Sequence, residues 1–239
     1  MEEPMFDVKK LALQFWKQGY LHVPKFFTSA LMDEYNLKII EHFGMDPDFQ
    51  HSEEFIKKSG AEVIPWFPQQ EGETCFNKVN DNQHLTELTE AILGTGWYTQ
   101  YSMVMFSKRG TAGQAWHQDC VCDDPSKFNL NRLVYTMDIS QQTTGGQTTV
   151  IPGSHLTGII PSHNEILDEK KAVRLSPKKG DLLLLHGHCY HKVEKVTGRY
   201  RVSTNYRAAS KNTPENITDI GVYRNMVYEF SSASVIQER

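Results

Sequence analysis

The chain has 239 residues, 39% hydrophobic, 23% charged and 11% aromatic. That mixture supports a sizeable packed core and excludes global disorder. Twenty-five Lys and Arg against 29 Asp and Glu leave a net charge of -4, which argues against a broad nucleic-acid or anionic-membrane surface.

The first ten residues, MEEPMFDVKK, are charged and lack the apolar stretch of a signal peptide. The longest aliphatic run, the four leucines at 182–185, is far too short to cross a bilayer. The expected setting is the cytoplasm, with no membrane or nucleic-acid partner. Cys75, Cys120, Cys122 and Cys189 form neither a zinc-finger pair nor a C-x-x-C, as expected of reduced thiols.

Along the chain, Val8, Leu11, Leu13, Phe15 and Trp16 predict a helix over 8–18, ended by Gly19. A strand follows at 20–23, then a helix capped by Thr28 or Ser29 that runs to about 42. Residues 44–73 are rich in Gly, Pro and acids, with a short helix at 53–58. With Phe49 and with Trp66 and Phe67 set between prolines, this segment reads as a pocket cover instead of sheet. Residues 86–93 form a helix stopped by Gly94 and Gly96. From there the pattern changes to short strands at 97–106, 132–139, 148–151, 172–175, 181–185 and 200–206, separated by Gly-containing turns. Helices followed by many short strands predict a mainly β fold, a barrel or sandwich braced by N-terminal helices. One domain over 1–239 is expected, with 209–239 as a C-terminal extension.

The sharpest local feature is Trp116-His117-Gln118-Asp119. In an extended segment His117 and Asp119 share a face and present an imidazole and a carboxylate to one centre. A third ligand lies within reach of the segment 180–191, where His186, His188 and His191 follow an apolar strand. Two imidazoles and one carboxylate fill one face of an octahedral metal and leave three positions open, which suits Fe(II). A structural zinc site would instead close all four positions with protein ligands. Spacing alone does not choose among the three histidines, because Gly187 can bend the strand and reset its parity.

Three motifs in order carry a family resemblance: Trp-His-Gln-Asp at 116–119, Thr-Gly-Gly-Gln-Thr-Thr-Val-Ile-Pro-Gly-Ser-His at 144–155, and Gly-Asp at 180–181 followed by His191 and an arginine-bearing strand. Over about residues 10–208 the chain resembles the phytanoyl-CoA dioxygenase family of Fe(II)- and 2-oxoglutarate-dependent oxygenases. The resemblance implies a double-stranded β-helix, a jelly roll of the cupin-like kind, and pairs His117 and Asp119 with His191 as metal ligands and catalytic residues. It implies Fe(II), with 2-oxoglutarate and O2 as cosubstrates, and a small-molecule substrate.

The family's arginine grips the far carboxylate of 2-oxoglutarate with two parallel hydrogen bonds. Arg201 fits that role, with Ser203 on the same strand face, whereas Arg199 reads as a turn residue after Gly198. Lys108 is a further candidate for the cosubstrate, as is Asn77 for either small molecule. Tyr101, Met103 and Met105 share one face of the preceding strand and either line the cavity or pack the core; Trp116, of opposite parity to the ligands, packs the barrel, and His155 is structural.

The implied reaction hydroxylates an unactivated C–H bond with release of succinate and CO2. Intact Asp119 disfavours halogenation, for which the family's halogenating members give up the metal carboxylate. Desaturation, ring formation and epimerisation share the same opening step. A cupin-like metal isomerase without 2-oxoglutarate is the alternative of another class.

Overall fold

The computed structural model describes residues 6–43, 64–120, 122, 124, 126–158, 168–213, 220–223 and 226–229. Its elements begin with α1 (Val8–Gln18), β1 (Tyr20–Val23) and α2 (Ser29–Phe43). Next come β2 (Ile64–Trp66), α3 (Asn77–Asn80), α4 (Gln83–Leu93), β3 (Tyr98–Lys108), β4 (Gln114–Gln118) and β5 (Asn129–Val134). The chain continues with β6 (Thr148–Val150), β7 (Val173–Arg174), β8 (Leu182–His186), β9 (His191–Val193), β10 (Tyr200–Ala209), β11 (Ile220–Tyr223) and β12 (Met226–Glu229).

Local chemistry explains the helix ends. The Asp7 carboxylate accepts from the Lys10 amide at 3.0 Å to start α1, and Gly19 ends it at φ 77°. Thr28 Oγ1 accepts from the Leu31 amide at 3.3 Å, and Asn82 caps α4 by accepting from the Leu85 amide at 2.9 Å. That Asn82 cap starts α4 three residues earlier than the apolar pattern predicts.

Two antiparallel sheets form a double-stranded β-helix, in orders β1-β8-β5-β10-β3-β2 and β12-β11-β4-β9-β6-β7. The leucine run in β8 shows how the sheets divide the core. Leu182 and Leu184 pack with Phe15, Met32, Tyr35 and Leu85 of the helices, whereas Leu183 and Leu185 join Leu133, Tyr135 and Val150 between the sheets. Successive side chains of a strand point to opposite faces, so one run feeds both cores. In β10, Val202, Tyr206 and Ala208 face the helices. By the same alternation Arg201, Ser203, Asn205 and Arg207 face inward, opposite Ser107, Met105, Met103 and Tyr101 of β3.

Several expectations need correction. Ile64–Trp66 is an edge strand on β3 where no sheet is expected, and Trp66 is buried, stacks on His42 at 4.0 Å and meets Phe76 edge-on. The rest of the proposed cover, 44–63 with Phe49 and the short helix, lies outside the described residues. The strand expected at 132–139 runs instead over β5, starting three residues earlier and ending five residues earlier, since the chain turns after Val134 toward the Pro177–Gly180 turn. In the C-terminal extension, β11 pairs with β4 in the register Val222↔Gln118 and Tyr223↔His117, so this segment extends the second sheet.

Candidate metal centre

β4 and β9 are neighbours, and their register sets His117 directly opposite His191. Both imidazoles use the same device. Nδ1 of His117 meets the Ala115 carbonyl at 2.7 Å and Nδ1 of His191 meets the Cys189 carbonyl at 2.9 Å. An Nδ1–H donated to a carbonyl leaves the Nε2 lone pair free for a metal. Each Nε2 lies 3.6 Å from an Asp119 oxygen, Oδ1 for His117 and Oδ2 for His191. One ligand atom from each of the three residues lies within 4.8 Å of the others. Among the described residues this is the one group of three or more His, Cys, Asp or Glu with that property.

Asp119 is held at both ends. Its amide donates to the Gly187 carbonyl at 2.8 Å, and its carbonyl accepts from Asn129 Nδ2 at 3.0 Å. Its Oδ2 accepts from Asn131 Nδ2 at 2.7 Å and lies 3.3 Å from Arg207 Nη2. Burial alone would raise the Asp119 carboxyl, but Arg207, then His191 and His117, and the Asn131 hydrogen bond outweigh it and hold the group at about 2. Burial, reinforced by His117, lowers His191 to about 4 and keeps its imidazole in the neutral, metal-ligating form.

The rival histidines have other work. His186 stacks on Phe128 at 3.8 Å, and its Nδ1 accepts from the His188 amide at 3.1 Å. Together they shape the turn whose Gly187 carbonyl latches Asp119 and whose His188 carbonyl accepts from Gln118 Nε2 at 2.7 Å. His155 donates through Nε2 to the Trp16 carbonyl at 3.0 Å and ties its turn to α1. Trp116 stacks on Tyr190, with ring centroids 5.3 Å apart, away from the metal ligands. Burial pushes the Cys120 thiol up to about 11 and the Cys189 thiol up to about 12, so neither supplies a ready thiolate.

Arg201 is buried, donating through Nε to the Gly146 carbonyl at 2.7 Å and through Nη1 to Ser203 Oγ at 3.1 Å. Burial lowers its guanidinium, with Tyr135 partly offsetting the effect, and among the described residues no carboxylate pairs with it. A buried cation without a counter-charge is costly and fits an anionic ligand. Arg199 is exposed. Lys108 and Asn77 are exposed too and are not brought to the cluster. For Lys108 the reason is parity: it pairs with Tyr200, one position out of phase with the inward pair Ser107 and Arg201. Tyr101, Met103 and Met105 lie on the inward face, Tyr101 buried and the two methionines half-buried.

Asn131, Asn205 and Arg207 escaped the sequence reading. The available signal was the period-two polar series Arg201, Ser203, Asn205, Arg207, hidden because the strand was expected to stop at 206.

The profile of the phytanoyl-CoA dioxygenase (PhyH) family matches residues 15–202. The dioxygenase himG of Aspergillus japonicus is 24% identical over 184 residues, 59% of this chain and 56% of himG, so the match spans little more than half of that relative. Among solved structures, the non-haem alpha-ketoglutarate-dependent epimerase SnoN from nogalamycin biosynthesis superposes with a TM-score of 0.70 at 17% identity, covering 91% of this chain and 85% of SnoN. HygX from Streptomyces hygroscopicus, with nickel, 2-oxoglutarate and hygromycin B bound, gives 0.63 at 14% identity, covering 85% and 87%. With the family profile spanning most of its length and the motif residues gathered into one three-ligand cluster, the chain belongs to the phytanoyl-CoA dioxygenase family.

Proposed function

We propose that this protein is an Fe(II)- and 2-oxoglutarate-dependent enzyme that removes hydrogen from an unactivated C–H bond of a small-molecule metabolite. The observation that carries the reading is the His117–Asp119–His191 cluster at β4 and β9 of the second sheet, faced from β10 of the first sheet by the inward row Arg201 to Arg207, with Arg201 a buried cation that has no acidic partner among the described residues. Two imidazoles and one carboxylate suit a ferrous ion and leave room for a bidentate cosubstrate. When bound, Fe(II) and 2-oxoglutarate supply the oxidising power, consuming O2 and releasing succinate and CO2.

The chain's own residues bind, orient and shelter. The carbonyls of Ala115 and Cys189 fix the imidazole tautomers, and Gly187 fixes the approach of Asp119. Arg201 and Ser203 would hold the far carboxylate of 2-oxoglutarate, with Tyr135 beside them. The inward side chains of Tyr101, Met103 and Met105 give the cavity an apolar wall that limits access of water.

Hydroxylation is the outcome expected from sequence, but the likeness to the epimerase SnoN favours a second reading, in which hydrogen removal ends in epimerisation. The small-molecule class is supported by HygX, which carries hygromycin B. The decisive experiment is anaerobic titration with Fe(II) and 2-oxoglutarate, then a metabolite panel scored for oxygen-dependent succinate and product mass. A gain of one oxygen atom supports hydroxylation, an unchanged mass epimerisation, and a loss of two hydrogens ring closure or desaturation. Absence of 2-oxoglutarate binding to the metal-loaded protein would sink the proposal in favour of a cupin-like isomerase.

A further inference from the structure

The two oxygens of Asp119 have different surroundings. Oδ2 accepts from Asn131 Nδ2 at 2.7 Å, pairs with Arg207 Nη2 at 3.3 Å and lies 3.6 Å from His191 Nε2. Among the described residues, the contact recorded for Oδ1 is His117 Nε2 at 3.6 Å. Arg207 also reaches Asp119 by a second route. Its Nε donates to Asn131 Oδ1 at 2.9 Å, the atom that also accepts from Asn205 Nδ2 at 2.8 Å. With its carbonyl oxygen fixed by those two donors, the Asn131 amide has its NH2 turned to Asp119. The register of Asn205 is fixed in turn, since its Oδ1 accepts from the Arg132 amide at 3.2 Å. The Arg207 guanidinium is 5.4 Å from the centre of the Tyr101 ring, and the side chain is only 6% exposed. A rigid fork braced on an amide, a ring and a carboxylate has little freedom to move.

We infer that Arg207, acting directly and through Asn131, is a positioning residue that retains Oδ2 of Asp119 on the protein side, so that Oδ1 alone is presented to the metal and the position a second oxygen would take stays open for 2-oxoglutarate. This rests on the proposed function, because it concerns the coordination position the cosubstrate needs. A carboxylate is able to bind a metal through one or both oxygens. An Oδ2 paired with a buried guanidinium and hydrogen-bonded to an amide loses that ion pair and that hydrogen bond if it turns to the metal. The cost of breaking charge-assisted bonds in a buried site therefore opposes two-oxygen ligation.

The test uses Co(II) as a redox-stable probe in the full-length protein, read by its visible ligand-field spectrum, followed by titration of 2-oxoglutarate onto the Co(II) form. Arg207→Gln is expected to bind Co(II) with an altered spectrum, reporting a changed coordination number, and to bind 2-oxoglutarate about tenfold or more weakly, the scale of one lost charge-assisted hydrogen bond. Arg207→Lys keeps the charge but not the fork and falls between the two. Asn131→Leu removes the relay and shifts the spectrum in the same direction; it carries the test if Arg207→Gln does not fold. An unchanged spectrum and unchanged 2-oxoglutarate affinity in these variants would overturn the positioning role and leave the proposed function standing. Failure of the unmutated protein to bind Co(II) or 2-oxoglutarate would overturn the proposed function itself, and this inference with it.

Discussion

His117 and His191 form a cross-strand pair between β4 and β9, with ring centroids 4.2 Å apart and each Nδ1 turned to the carbonyl two residues earlier. The symmetry of this pair means that neither histidine has a substitute in the turn that separates β8 from β9. Replacing His117, Asp119 or His191 by Ala is expected to abolish stoichiometric Co(II) or Fe(II) binding, with the fold retained by circular dichroism. His186→Asn and His188→Gln should retain the metal. Metal analysis of the purified variants checks this, and loss of metal only in the His186 variant would reassign the third ligand.

The proposed cosubstrate anchor gives a second expectation. Arg201→Met removes a charged, hydrogen-bonding partner from a buried site. It should raise the 2-oxoglutarate requirement by about 10- to 100-fold, the scale of one or two charge-assisted hydrogen bonds. Arg199→Ala, at an exposed position, should leave that requirement unchanged. Calorimetric titration of 2-oxoglutarate onto the Co(II) protein distinguishes the two arginines.

Gly146 supports that anchor through its backbone. It adopts φ 62°, its carbonyl accepts from Arg201 Nε at 2.7 Å, and a β-carbon added to it runs into Arg201 Cδ. Gly146→Ala therefore combines a left-handed backbone cost of about 1–2 kcal/mol with displacement of the guanidinium. The expected result is a lower melting temperature together with weaker 2-oxoglutarate binding. Gly153→Ala, also at positive φ but with open space around its β-carbon, should lower the melting temperature alone.

Acid should destabilise the protein through His186. Burial, then the neighbouring His155 and His188, lowers its imidazole to about 2. Because the folded value lies below the unfolded one, the unfolded chain takes up the proton first as pH falls. The stability held by neutral His186 is complete above about pH 6.5 and declines below it toward the folded value, by about 1.4 kcal/mol per pH unit per proton. His186→Asn keeps an acceptor for the His188 amide and removes the titrating group. Its stability at pH 7 is expected to fall through loss of the Phe128 stack, while its slope between pH 6.5 and 4.5 becomes shallower in chemical denaturation. An identical slope would place the acid sensitivity elsewhere.

Much of this architecture is legible from residue pattern because it depends on local rules. Gly19 after an apolar-periodic stretch, Thr28 before α2 and the hydrophobic run of β8 all act through nearest neighbours. The H-x-D pair is legible for the same reason, since strand alternation alone puts His117 and Asp119 on one face. What escapes is set by pairing across the sheets. Trp66 looks like a loop aromatic between prolines until His42 and Phe76 pack against it. Lys108 looks like a ligand-binding cation until the register with Tyr200 turns it outward. Asn131 and Arg207 meet Asp119 from two other strands, and no spacing within a single motif encodes that meeting.

β10 works as a partition with two independent surfaces. Its odd positions, 201 to 207, meet the ligands' side of the barrel, and its even positions at 202, 206 and 208 dock the helical layer. Changes at odd positions can therefore retune chemistry without loosening the helices, and changes at even positions can alter robustness without touching the reacting centre. A single inserted residue would exchange the two sets at once, burying guanidinium groups among the helices and aiming Val202 and Tyr206 at the metal. For anyone redesigning this chain, substitution along the strand is the permissive direction and length is the forbidden one.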